Sequence, residues 1–142
     1  MIILDTNVLS ELIKPAPDPN VVQWISQKHA ASLFTSTITQ AEILYGAALM
    51  PDSNRKDLLL KAASRLFDEL FAGRVLSFDA EAAFSYAWIA SNRRSAGRPI
   101  SQFDAQIAAI TRSREGRLAT RNVSDFEGCG IVVINPWVEH SV

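Results

Sequence analysis

Apolar residues in this chain fall into two patterns. Short unbroken runs occur at Ile2-Ile3-Leu4, Leu33-Phe34-Thr35, Val75-Leu76 with Phe78, Leu118-Ala119-Thr120, and Ile131 to Ile134. Runs of this length and makeup predict strands buried on both faces. Between them, apolar residues recur at helical spacing. Val8, Leu9 and Leu12 begin a first helix that must stop at Lys14-Pro15, because proline disfavours helix in the residue before it. Asp18 can cap a second helix with Pro19 in its first position. Val21, Trp24 and Ile25 lie on one side of it, and Lys28 extends its stem over the edge.

The third helix is expected to open at Thr39-Gln40-Ala41-Glu42, a Thr-x-x-Glu capping box. It continues through Ile43, Gly46, Ala47 and Met50 to Pro51. Gly46 costs about 1 kcal/mol relative to alanine inside a helix, which predicts a close neighbour there. A long helix over residues 54 to 71 presents Leu58, Leu59, Ala62, Leu66, Phe67 and Leu70 on a wide apolar face, and Gly73 closes it. Asp79 caps a fifth helix carrying Ala83, Tyr86, Ala87 and Ala90, widened by Phe84 and Trp88, whose aromatics suit core or a dimer surface. After the Arg98-Pro99 turn, a sixth helix runs from about Ser101 to Ser113 with Phe103, Ile107 and Ile110 inward. Residues 121 to 126 read as a loop or one helical turn, and Asn135-Pro136 ends the last strand. This alternation of strands with helices predicts an α/β fold with a parallel sheet covered on both faces.

The length of 142 residues fits one domain. Neither a repeat nor a linker interrupts it. With 48% hydrophobic and 20% charged residues the chain has an ordinary globular makeup. No apolar run approaches the ~18 residues of a membrane span, and the N-terminus lacks the pattern of a secretory signal. The single cysteine, Cys129, excludes an intrachain disulfide, fits a cytoplasmic location and reads as a small packing residue. A net charge of −1 advertises no nucleic-acid binding. The stretch from Arg93 to Arg121 differs, with seven arginines (Arg93, Arg94, Arg98, Arg112, Arg114, Arg117, Arg121) against only Asp104 and Glu115. It is either a solvated helical surface or a patch that attracts phosphates.

Elimination narrows the chemistry. His29 and His140 are isolated, without metal-ligand spacing, and are expected at the surface. The chain has no Cys-His nucleophile signature, no G-x-S-x-G and no P-loop. What remains is a set of acids at predicted strand ends and helix starts: Asp5, Glu42 and Asp104, with Asn122 and Asp125 after the fourth strand. Each has a purely structural reading. Asp5 can cap the first helix, Glu42 can complete its capping box, and Asp104 suits a helix dipole. Gathered together, such acids would repel one another, and a divalent cation relieves that repulsion. Oxygen ligands without histidine suit Mg²⁺ or Mn²⁺.

Several segments together resemble a known family. They are Ile-Leu-Asp5-Thr6-Asn7-Val near the start, Thr39-x-x-Glu42-x-x-x-Gly46, Asp104-Ala-Gln-Ile-Ala-Ala, Ala-Thr120-Arg121-Asn122-x-x-Asp125-Phe, and Asn135-Pro-Trp137. Their order over nearly the whole chain resembles a PIN domain, and more narrowly the VapC/FitB-like toxins of bacterial toxin–antitoxin pairs. The resemblance implies a three-layer α/β/α fold around a central, mostly parallel five-stranded sheet. It also implies a Mg²⁺- or Mn²⁺-dependent endoribonuclease in which Asp5 and Asp104 ligate metal. Glu42 would bind metal or orient the attacking water, and Thr6, Asn7 and Thr120 would support the site. Implied partners are RNA, a VapB-like antitoxin and a second copy in a homodimer, with DNA contacted only through the antitoxin. Many members carry an aspartate where this chain has Asn122, so Asn122 and Asp125 remain alternatives for the fourth position. Arg98 and Arg121 flank the expected mouth of the site and are candidates for RNA binding.

Rival readings fit less well. A HAD-type phosphatase would want an aspartate at position 7, where Asn7 stands. A phospho-receiver module would want an acidic pair after the first strand and a lysine after the last, and no lysine follows Lys61. A non-catalytic PIN-like scaffold stays open, although Asp5, Glu42 and Asp104 are all retained.

Overall fold

A computed structural model describes residues 1–138. Its strands are β1 (Ile2–Leu4), β2 (Leu33–Ser36), β3 (Val75–Leu76), β4 (Arg117–Ala119) and β5 (Val132–Ile134). Its helices are α1 (Thr6–Leu12), α2 (Pro19–Ser26), α3 (Thr37–Ala48), α4 (Asn54–Arg65), α5 (Ala80–Ser95) and α6 (Gln102–Ser113). A wider π-type turn, Leu66–Leu70, prolongs α4, and a 3₁₀ turn, Val123–Phe126, follows β4. The sheet has the order β3-β2-β1-β4-β5, with every pairing parallel.

The central strand β1 shows why its apolar run is unbroken. Ile2 and Leu4 face one core, shared with Val8 and Leu9 of α1, Val21 and Trp24 of α2, Ile43 of α3 and Ala63 of α4. Ile3 faces the other core, shared with Ile89 of α5 and Ile107, Ala108 and Ala109 of α6. Helices therefore cover both faces, and alternate residues of one strand serve opposite layers. The chain leaves β1 toward β2 on one side and reaches β4 on the other. The strand order reverses between β1 and β4, and the crevice at their carboxyl ends is the usual ligand position in such sheets.

Several local expectations change. Ser36, extended at φ −133° and ψ 159°, accepts a hydrogen bond from Thr39 N at 3.1 Å and starts α3 at Thr37. Thr39 is thus inside the helix, and the expected capping box does not form. Gly46 has open space rather than a close neighbour, because it lines a groove. On α5 the buried stripe is Ala82, Ser85, Ile89 and Arg93, not the one through Ala83 and Ala87. An alanine-rich helix offers both stripes, and only this one places Ile89 in the core. Phe103 is 54% exposed, because the buried part of α6 begins at Ala105. Leu58 and Leu70 of the long helical stretch also remain exposed. His29 is exposed, whereas His140 lies outside the described residues.

Candidate active site

Asp5 follows β1 directly and sits at the head of α1. Its Oδ1 accepts from Thr6 N at 2.8 Å, so the capping reading holds. Its Oδ2 accepts from the Thr120 hydroxyl at 2.8 Å and from Asn7 Nδ2 at 3.4 Å, which a simple cap does not need. Thr120 follows β4, so the hydroxyl joins the carboxyl ends of the two strands that bound the crevice. Asn7 Nδ2 also donates to Thr120 Oγ1 at 3.1 Å, while Asn7 Oδ1 accepts from Arg121 N at 3.1 Å. An aspartate at position 7 would lose that donor and repel Asp5.

Glu42 reaches the same place from α3. With the helix started at Ser36, Glu42 lies beyond the first turn and its carboxylate is free of capping. The Thr6 hydroxyl donates to Glu42 Oε1 at 2.8 Å. That hydroxyl has one proton, so the Thr39 hydroxyl, 3.0 Å away, donates to it. Asp104 stands in the first turn of α6, where Ser101 caps the helix by accepting from Asp104 N at 3.2 Å.

The electrostatics join these acids. Burial pushes the Asp5 carboxyl up to about 6. Hydrogen bonds from Thr120 and Thr6 oppose the rise, and the charges of Asp104 and Glu42 add to it. Burial also raises Asp104, with Asp125 adding to the rise and the Arg93 guanidinium opposing it. Of the two alternatives for the fourth position, Asp125 brings negative charge to Asp104. Asn122 is exposed and uses its backbone N–H on Thr120 Oγ1 at 3.2 Å.

Among the described residues, no three acidic, histidine or cysteine side chains form a ready cage for a cation. Asp5 and Glu42 are linked instead through Thr6, whose N–H and hydroxyl respectively donate to them, and Asp104 acts on Asp5 through its charge. The donors are carboxylate, hydroxyl and amide oxygens, which match hard divalent cations. A carboxyl raised by burial, with neighbouring acids adding to the rise, is also the state that a nearby cation would relieve.

A family model for the PIN domain matches residues 2–127. The chain belongs to the PIN-domain family. A plasmid stability protein, StbB, from Pseudomonas syringae pv. tomato is 42% identical over 137 residues, covering 96% of this chain and 99% of that protein. The VapC ribonuclease Y4jK from Sinorhizobium fredii is 40% identical over the same length, covering 96% and 98%. Among solved structures, FitAB bound to an IR36 DNA fragment superposes with a TM-score of 0.91 at 38% identity, covering 99% of each chain.

The matched PIN-domain span contains Asp5, Glu42, Asp104, Asn122 and Asp125, and stops before β5. The arginine-rich stretch divides within it. Arg98 is exposed and pairs with Glu127 at 2.9 Å. Arg121 is exposed beside the site, with its guanidinium 5.1 Å from the Trp137 ring centroid. Arg112 lies 3.8 Å over Trp88, and Arg114 pairs with Asp79 at 3.2 Å. Arg93 is buried, which neither reading of the arginine stretch anticipates. Its signal was available: Arg93 continues the stripe through Ile89 four residues earlier. Ser36 was also missed, although a serine three residues before Thr39 at a strand end has N-cap spacing.

Proposed function

We propose that this PIN domain is the toxin of a toxin–antitoxin pair and acts as a Mg²⁺- or Mn²⁺-dependent endoribonuclease. The observation that carries the reading is the hydrogen-bonded arrangement of Asp5, Thr6, Glu42 and Thr120 at the β1–β4 crevice, with Asp104 near enough for its charge to act on Asp5. The names of the relatives, a VapC ribonuclease and a plasmid stability protein, support it. Asp5 and Asp104 would hold the cation, with Asp125 as the additional acid. When bound, the cation supplies activation of water and stabilisation of the charge that develops on the phosphate. Glu42, fixed by the Thr6 hydroxyl, accepts a hydrogen bond from the attacking water and aligns it. Thr120 and Asn7 keep the Asp5 oxygens from turning away. Attack in line with the departing 3′ oxygen leaves a 5′-phosphate and a 3′-hydroxyl. Arg98 and Arg121 hold the RNA backbone outside the acidic pocket.

A groove of about 560 Å³ runs from Thr6 and Glu42 between α1, α3 and α4, lined by apolar residues including Ile13, Ile43, Met50 and Leu59. It suits the C-terminal segment of a VapB-like antitoxin, with a cationic side chain set among the acids. The solved FitAB complex with DNA supports a partnered assembly, in which DNA would be met through the antitoxin. Phe84, 82% exposed on α5 beside Trp88, offers a surface for pairing two copies. Among the described residues, no helix is long and apolar enough to cross a membrane.

The deciding experiment incubates the protein with structured RNA in Mn²⁺ or in EDTA, beside Asp104→Asn. Cleavage is expected only for the parental protein with the metal. Asp104→Asn should keep its fold and its RNA affinity while losing at least about a hundredfold in rate, the order of a lost charge-stabilising group. Parental rates in that variant would reduce Asp104 to a helix-start acid.

A further inference from the structure

Arg93 is buried in the wall of the acidic centre, and the chemistry above makes no use of it. Its Nε donates to the carbonyl of Arg98 at 2.7 Å. Its Nη1 donates to the carbonyls of Asp125 at 2.7 Å and Glu127 at 3.0 Å, with Cys129 Sγ at 3.7 Å. Among the described residues no carboxylate forms an ion pair with it. Neutral carbonyls satisfy its Nε and Nη1 donors but leave its charge intact, and a buried charge without an ion-paired carboxylate is costly to keep.

The contacts show what that cost is set against. Arg98 lies in the turn that leads into α6 and Asp104, and Asp125 lies in the 3₁₀ turn after β4. Both connections turn through a glycine in the left-handed region, Gly97 at φ 73° and Gly128 at φ 76°. One planar guanidinium therefore bridges two walls of the site from inside, where the Arg98–Glu127 pair at 2.9 Å joins the same walls from the exposed side. Asp104 and Asp125 repel each other, and the Arg93 charge acts on Asp104 in the opposite sense.

We propose that Arg93 is a positioning residue of the acidic centre, whose guanidinium ties the turn before α6 to the turn bearing Asp125 so that Asp104 and Asp125 stand together for a divalent cation. The inference rests on the metal-dependent nuclease reading. Lysine cannot replace it fully, because an ammonium keeps the charge but lacks the planar fork that bonds carbonyls on two segments at once.

The test compares Arg93→Lys and Arg93→Met with the parental protein. Melting curves establish folding, calorimetry measures Mn²⁺ binding, and kinetics on an RNA oligonucleotide separate kcat from KM. Arg93→Lys should weaken Mn²⁺ binding severalfold and lower kcat about tenfold, with KM for RNA within about twofold, and Arg93→Met should lose more of both. A variant that melts earlier yet binds Mn²⁺ and turns over like the parent would overturn the proposal, leaving Arg93 a clamp of the fold alone. A second measurement needs no variant. The Arg93 Nε–H nuclear magnetic resonance signal of the parental protein should shift on Mg²⁺ titration with the midpoint of the Asp104 amide, and a stationary signal would overturn the proposal. If the parent binds Mn²⁺ but cleaves no RNA, the nuclease reading fails while the binding and resonance results still decide the role of Arg93. No Mn²⁺ binding by the parent defeats both.

Discussion

Burial, with the charges of Asp104 and Glu42 added, lifts the Asp5 carboxyl from 3.8 to about 6 in the folded chain. A raised acid favours its protonated form in the native state. Its contribution is absent below about pH 4, where folded and unfolded chains both hold the proton. It turns destabilising as pH rises toward 6, and above that the loss is complete, up to about 3 kcal/mol from the size of the shift. The metal-free protein should therefore melt higher at pH 5 than this group would allow at pH 7.5. Asp5→Asn should raise the melting temperature of the metal-free protein at pH 7.5, and lose that advantage when Mn²⁺ is added to both. Melts in EDTA and in Mn²⁺ at the two pH values check this, and parallel pH profiles for parent and variant would remove Asp5 as the source. On the proposed metal-binding role, an Asp5 that destabilises the metal-free fold is the usual exchange of stability for function.

Among the elements, α3 carries more of the site than its own length suggests. Its start at Ser36 sets the rotation of the helix, and that rotation aims Thr39 at Thr6 and leaves Glu42 to accept the Thr6 hydroxyl. Ser36→Ala removes the cap acceptor for Thr39 N and should cost about 1–2 kcal/mol. Urea denaturation should show a lower midpoint with an unchanged slope, and cleavage should weaken because Glu42 loses its fixed orientation. An unaltered midpoint would show that the helix start is set elsewhere. Glu42 and Gly46 were legible in the sequence as helix residues, yet the start of the helix was not. Ser36 ends β2 and caps α3 at the same time, whereas the apolar run Leu33-Phe34-Thr35 stops one residue short of it and the Thr-x-x-Glu spacing points to Thr39 instead.

For the molecule as a whole, the proposed activity requires a polyanion to reach a pocket of acids in a chain with a net charge of −1. The arginines answer it unequally. Arg93 is committed to carbonyls, Arg112 stacks on Trp88, and Arg114 pairs with Asp79. Arg98 and Arg121 remain exposed near the elements that carry Asp104 and Thr120. Replacing either with alanine should weaken binding to single-stranded RNA and make the plot of log affinity against log salt shallower by about 0.7 per lost phosphate contact. The change should be smaller for Arg98, which must first leave Glu127 at 2.9 Å. Fluorescence anisotropy at several salt concentrations, on the Asp104→Asn background to prevent cleavage, measures both slopes. Identical slopes would make these arginines a solvated face.

The order of strands and helices and the parallel sheet follow from local pattern, and so does the nomination of Asp5, Glu42 and Asp104 as candidates. An apolar run of strand length, an apolar stripe of helical period and a carboxylate at the junction are properties of neighbours in the chain. The company each acid keeps is a different matter. Thr6 and Glu42 meet across 36 positions, and Asp5 and Thr120 across 115. Those meetings need the β1–β4 pairing and the rotation of α3. The same holds for α5, whose alanines permit two stripes until packing against the sheet buries Ile89 and, with it, Arg93. Gly46 looked like a close contact and proved to border the groove, because the sequence records that a side chain is missing but not what lies opposite. Periodicity acts along the chain and so can be read from it. Charge, burial and hydrogen bonding act through space, and only the folded arrangement sets those distances.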